Sequence, residues 1–140
     1  MLRDGKPQFA YALSNQPDHK FRVYSEQPLP PGNHVVRVNF KYDGGGIGKG
    51  ATATLFVDEK QVAEGRIAQT AAVRFSLDET FDVGADTGTP VVEDYVNDMP
   101  FQFTGTLKKF GVVLQPEKLP EEEKERLRAV IAKAMMAAVG

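Results

Sequence analysis

Residues 34–42 alternate without a break. Val36, Val38, Phe40 and Tyr42 point one way, while Val35, Arg37, Asn39 and Lys41 point the other. A side-chain period of two is that of a β-strand with one buried face. The same period runs less cleanly through residues 9–13 and 21–24. Residues 52–57 are β-branched and apolar, with Ala53, Leu55 and Val57 on one face. Residues 62–67 follow after Asp58-Glu59-Lys60-Gln61, so the pattern predicts a hairpin here. A short strand is expected at 73–76, and the last two at 101–106 and 110–114. Gly and Pro punctuate the intervals, and short strands at such spacing predict an antiparallel sandwich or barrel.

The C-terminal pattern changes period. Pro120 stands where a first helical residue would, and Glu121-Glu122-Glu123 suit the positive end of a helix dipole. Leu127, Val130, Ile131, Ala134, Met135 and Ala138 recur at steps of three and four, which predicts an amphipathic helix closed by Gly140. Its stripe is expected to cover the sandwich, an open sheet edge or another chain. Its polar side mixes both charges, unlike the strongly basic face of a membrane-surface helix. The expected division is a β-domain over 1–116 and a helix over 117–140.

Composition narrows the chemistry. The 140 residues are the size of one domain. A balance of 17 basic against 19 acidic residues, net −2, argues against a nucleic-acid binder with a basic stripe. With no cysteine there is no disulfide, thiolate metal site or cysteine nucleophile. No apolar run approaches the roughly 18 residues of a membrane span, and the N-terminus lacks an apolar signal region. The expected address is cytoplasmic by default.

Three features invite a site. The first is Tyr42-Asp43-Gly44-Gly45-Gly46-Ile47-Gly48-Lys49-Gly50. It fails as a phosphate loop: Asp43 takes the place of the first glycine, and Gly50 stands where a magnesium-binding hydroxyl should be. The dinucleotide pattern Gly46-x-Gly48-x-x-Ala51 should open a helix, yet residues 51–57 read as strand. The expected role is a connection between strands. The second is the stretch 78–98, with seven acids (Asp78, Glu79, Asp82, Asp86, Glu93, Asp94, Asp98) and no Lys or Arg. Calcium takes about six to eight oxygens from a flexible loop, which makes Asp82, Asp86 and Asp94 candidate ligands. The competing reading is a surface loop whose Asp and Thr side chains cap its own turns. The third is the pair His19 and His34, expected to be structural because neither has a partner base or nucleophile in its sequence neighbourhood. Nothing fixes two carboxylates at a glycosidase separation.

The order of features resembles a known family. The glycine run 42–50 is followed by Leu55-Phe56-Val57-Asp58, then Asp82-Val83-Gly84-x-Asp86-Thr87-Gly88-Thr89-Pro90-Val91, Asp94-Tyr95 and Phe103-Thr104-Gly105-Thr106-Leu107. Upstream lie Asp4-Gly5-Lys6-Pro7, Tyr11, Asn15, and Pro28-Leu29-Pro30-Pro31-Gly32 before His34. Over about residues 3–114 this resembles the C-terminal region of long bacterial arylsulfatases. The resemblance implies a concanavalin- or laminin-G-like β-sandwich, appended to a catalytic domain that carries the formylglycine and calcium. The Cys/Ser-x-Pro/Ala-x-Arg formylglycine motif is absent here: Ser14, Ser25 and Ser76 are followed two residues on by Gln16, Gln27 and Asp78. No catalytic residue carries over.

Three departures bear on the fold. Glu59 follows Asp58 where the family writes Gly, which predicts a hairpin geometry other than type I′. The family's region begins with further strands, and its end lacks the 120–140 helix. A sandwich short of its first strands exposes edge and core. The partners expected to cover them are the helix, a second copy, or a sulfatase catalytic domain. The resulting expectation is a non-catalytic, jelly-roll-like module, incomplete at one side, with no nucleic-acid or membrane role. The rivals are a fragment of a sulfate-ester hydrolase and a carbohydrate-binding module, which would have to stack sugars on Tyr11, Tyr24, Tyr42 or Tyr95, since Trp is absent.

Overall fold

The computed structural model describes residues 1–72, 81–115 and 120–137. The expected strand at 73–76, the acids Asp78 and Glu79, and Ala138 and Gly140 at the helix end lie outside the described residues. The chain is mostly β, with three small antiparallel sheets and a C-terminal helix. The first sheet is β1 (Leu2–Arg3), β2 (Lys6–Ala12) and β3 (Lys20–Tyr24). The second is β4 (Val36–Tyr42), β5 (Ala51–Val57) and β6 (Lys60–Ile67), with β5 central. The third is the short pair β7 (Ala85–Asp86) and β8 (Phe101–Gln102). Helix α1 spans Glu121–Ala137.

The first two sheets face each other through the apolar halves of their alternation. Val23 of β3 joins Ala51, Ala53, Leu55 and Ile67 of β5 and β6 in one buried cluster, flanked by Phe9, Tyr11, Phe21, Val62 and Ala63. Gly65 makes the approach possible. A Cβ there would lie 2.6 Å from Val23 Cγ2, inside any tolerated contact. The opposite face of the second sheet is polar, except where Arg37 caps the Phe56 ring at 4.1 Å.

The β5–β6 turn corrects one expectation. Its two residues, Asp58 (φ 48°) and Glu59 (φ 68°), both take the left-handed conformation that a type I′ hairpin turn requires. The register supports it, with Val57 opposite Lys60. Asp58 tolerates the strain because it is anchored. Its Oδ1 accepts Val35 N–H (2.9 Å), and its own N–H donates to Val35 O (2.9 Å). A β-bulge restores the facing: Leu55 pairs with Ala63 and Phe56 with Gln61, leaving Val62 as the extra residue.

Two further expectations change. Strand β4 forms, but its apolar face is not buried: Val36, Val38, Phe40 and Tyr42 keep 43, 38, 41 and 37% of their surface in solvent. Phe40 meets Phe9 and Tyr11 of the opposing layer at centroid distances of 6.0 Å. The strands expected at 101–106 and 110–114 reduce to Phe101–Gln102, and residues 103–115 lie in no strand or helix. A strand exists by virtue of its neighbour, and the pairing fades after Phe103, whose N–H donates to Gly84 O (2.8 Å).

Candidate functional site

The acidic stretch folds onto the outer face of the first sheet. Strand β3 turns Lys20 and Arg22 outward, opposite in parity to Phe21 and Val23. Lys20 Nζ donates to Glu93 Oε1 (2.7 Å) and Arg22 grips Asp94 through two bonds (3.0 and 2.5 Å). From β1, Arg3 donates to Asp98 Oδ2 (3.1 Å) and to Asp94 O (2.9 Å). Glu93, Asp94 and Asp98 lie on two 3₁₀ turns within Glu93–Asp98, joined by a kink at the buried Tyr95. The Tyr95 ring stacks on Phe101 at 4.6 Å; its hydroxyl donates to Asp86 Oδ2 (2.6 Å) and accepts Val91 N–H (2.9 Å).

Each of the three candidate calcium ligands has hydrogen-bond partners within the chain. Asp94 is held by Arg22. Asp86 receives Tyr95 and, at 3.3 Å, the Gly88 amide. Asp82 Oδ2 accepts the Thr87 hydroxyl (2.6 Å) and amide (3.2 Å). That is turn-capping chemistry. Among the described residues no three His, Asp or Glu side chains converge as a metal would need. Burial pushes the Asp94 carboxyl up, but the bonds from Arg22 and its own amide, with the charges of Arg22 and Arg3, outweigh it and hold the group below the ordinary carboxylate range. The Lys20 hydrogen bond does the same for Glu93. Burial, then the Asp86 carboxylate, pushes the Tyr95 hydroxyl up to about 12.

The glycine run joins β4 to β5, as expected, and no helix begins there. Its base is stapled. Asp43 N–H donates to Gly50 O (3.0 Å), Arg66 forks onto Asp43 (2.8 and 2.5 Å), and the Tyr42 hydroxyl bonds Gly46 O and accepts Lys49 N–H (3.0 Å). Gly46 also borders Glu123 in the first turn of α1, so the helix starts beside this loop.

Both histidines have partners that sequence proximity did not reveal as functional. Ser14 Oγ lies 2.7 Å from His19 Nδ1 and accepts Gln16 N–H (3.2 Å), a local arrangement that shapes the β2–β3 connection. His19 thus has a hydroxyl beside it, because the turn folds residue 14 back on 19. His34 meets Asp58 across 24 residues of sequence. Its Nδ1 donates to Asp58 Oδ2 (2.7 Å) and its Nε2 to Pro30 O (2.8 Å). Both partners are acceptors, so the two contacts together suit the protonated ring, whose charge the Asp58 carboxylate balances.

That pair has a pH signature. The Asp58 hydrogen bond, then the Pro30 carbonyl, raises the His34 pKa above 6.5, while the His34 bond, then the Val35 amide, lowers Asp58 below 3.8. The His34 contribution is complete below its ordinary value and is lost as pH climbs through the raised one. The Asp58 contribution is complete above its ordinary value and is lost as pH falls through the lowered one. The melting temperature of the wild type should therefore exceed that of His34→Asn most between about pH 4 and 6.5 and converge on it above neutrality. An NMR titration that places the His34 midpoint below 6.5 would contradict the assignment.

Sequence reasoning missed the exposed face of β4, Val36, Val38, Phe40 and Tyr42, on a strand with no partner along its outer edge among the described residues. No protein-family model, no curated protein and no solved structure matches the chain.

Proposed function

We propose that this chain is a non-catalytic module that works by packing, built like the β-sandwich that follows the catalytic domain in long bacterial arylsulfatases and short of strands on one side. The observation that carries the reading is the β4 stripe, four large apolar side chains each more than a third exposed along an open edge. Edges of this kind template pairing with another chain, and natural proteins normally cover them. The ionic groups of the acidic stretch support the same reading, since their hydrogen bonds serve to clamp the chain to itself. The test pairs an assay with a binding measurement. The purified chain should not hydrolyse an aryl sulfate, and it should associate with itself or with an arylsulfatase catalytic domain in a manner weakened by Val38→Lys. Saturable turnover, or the absence of both associations, overturns the proposal.

A second reading rests on an open groove of about 610 Å³ between the ends of β3 and β6, lined by Arg22, Tyr24, Glu26, Gln27, Gln61 and Glu64. Tyr24 is more than half exposed there and could stack a sugar ring, with the amides and carboxylates taking its hydroxyls. Calorimetric titration with neutral and acidic oligosaccharides would favour this reading if Tyr24→Ala abolished a measured heat of binding.

A further inference from the structure

Two unsatisfied features of this chain match each other. Among the described residues, strand β4 has no neighbour on its outer edge, and residues 103–115 have strand-forming character without lying in a strand. Within the latter, Leu107, Phe110, Val112, Val113 and Leu114 are all at least half exposed, Val113 and Leu114 at 93 and 86%. We propose that residues 110–114 of one copy add as an antiparallel strand to the free edge of β4 in a second copy, and reciprocally, so that each chain completes the other's sheet. The inference rests on the packing role above and names its partner as a second copy of this chain.

Parity, charge and overlap with β4 favour one pairing. Phe110, Val112 and Leu114 fall on one face of a strand, as do Val36, Val38, Phe40 and Tyr42. With Val112 opposite Phe40, Leu114 meets Val38 and Phe110 meets Tyr42, extending the apolar stripe by one strand. Lys109 then falls beside Asp43, and Lys108 lies past the end of β4. Shifting by two, with Val112 opposite Val38, would set Lys109 against Lys41, a like-charge pair that costs stability. A shift by one would turn Phe110, Val112 and Leu114 to the face of Arg37, Asn39 and Lys41. The donor comes from another copy because its own stem, β8, belongs to the segment that Arg3, Lys20 and Arg22 clamp to the outer face of the first sheet. That sheet stands between the stem and the inner face to which the β4 stripe belongs. Phe110 meanwhile rests on the ring of Phe81, itself 79% exposed, which leaves it available to a better partner.

The chain contains no cysteine, so cross-linking has no background. Phe40→Cys and Val112→Cys are made as separate proteins, mixed and oxidised. A disulfide-linked heterodimer, absent when either variant is oxidised alone, is expected, because directly opposed strand residues meet disulfide geometry. The wild type should sediment as a dimer and Val112→Pro as a monomer with an unchanged melting temperature above the dissociation range, since the segment lies outside the core. No cross-link, a monomeric wild type, or a dimer that survives Val112→Pro overturns strand exchange. A monomer that still binds an arylsulfatase catalytic domain overturns the exchange alone and leaves the packing role standing. Aryl sulfate turnover would instead remove the role.

Discussion

Leu55→Ala should cost about 3–4 kcal/mol of folding stability. Leu55 is 1% exposed and is the largest aliphatic side chain of the cluster between the two main sheets. Its neighbours along β5 on the same face are Ala51 and Ala53, both fully buried and both too small to fill the space left behind. Across the gap stands Val23, β-branched and held at close range by Gly65. A site with stiff or minimal neighbours relaxes little, which places it toward the upper part of the measured range for such deletions. Since domains of this size carry about 5–15 kcal/mol in total, the loss is a large share of the whole. Urea unfolding should show a lower midpoint with an unaltered slope. A change below about 1 kcal/mol would mean that the two sheets are not packed through β5.

Tyr95→Ala should release the segment 85–102 while sparing the main sheets. Tyr95 is 1% exposed and joins three things: the Phe101 ring, the Asp86 carboxylate and the Val91 amide. Truncation to Ala removes the ring and orphans both polar partners, an expected loss of about 3–5 kcal/mol in the opening free energy of that segment. Tyr95→Phe keeps the stack and removes the hydroxyl, and should cost about 1–2 kcal/mol. Hydrogen exchange separates local from global effects. Amides of 85–102 should exchange faster in Tyr95→Ala, with those of β5 and β6 unmoved. Uniform acceleration across the chain would show that the segment and the sheets unfold as one unit. The ion pairs of Arg3, Lys20 and Arg22 cannot hold the segment alone, because exposed pairs contribute little individually.

The contrast between these two residues marks what could be read from sequence. Leu55 sits in a strand whose period of two places it inward, and β2 to β6 and α1 were all legible in this way. Tyr95 sits at the kink between two 3₁₀ turns, where no such period runs, so its burial could not be inferred. The clamp around it was visible in principle, as Arg3, Lys20 and Arg22 on one stretch and seven acids on another. Reading them as partners needed the sheet that turns the cations outward. Residues 110–114 show the opposite failure: the local pattern is right for a strand, but pairing is a non-local property that no local pattern contains. The same holds for β4, where alternation identified the apolar face and could not tell how much of it the opposing layer would cover. At the β5–β6 turn, propensity favoured glycine, and the anchoring of Asp58 by Val35 decided otherwise.

The stapled glycine loop has a consequence for how this scaffold tolerates change. Its holding contacts come from Arg66 on Asp43, from Thr70 on Lys49 and from the Tyr42 hydroxyl on Gly46 and Lys49, whereas side chains grown from Gly44 or Gly45 would meet nothing within 4 Å. Anchorage and length are thus separated. Because closure entropy rises only slowly with added residues, a peptide spliced between Gly44 and Gly45 adds about 0.6 kcal/mol per doubling of the loop. The tip can therefore carry a graft such as an epitope or a fluorophore without asking the hairpin below it to move.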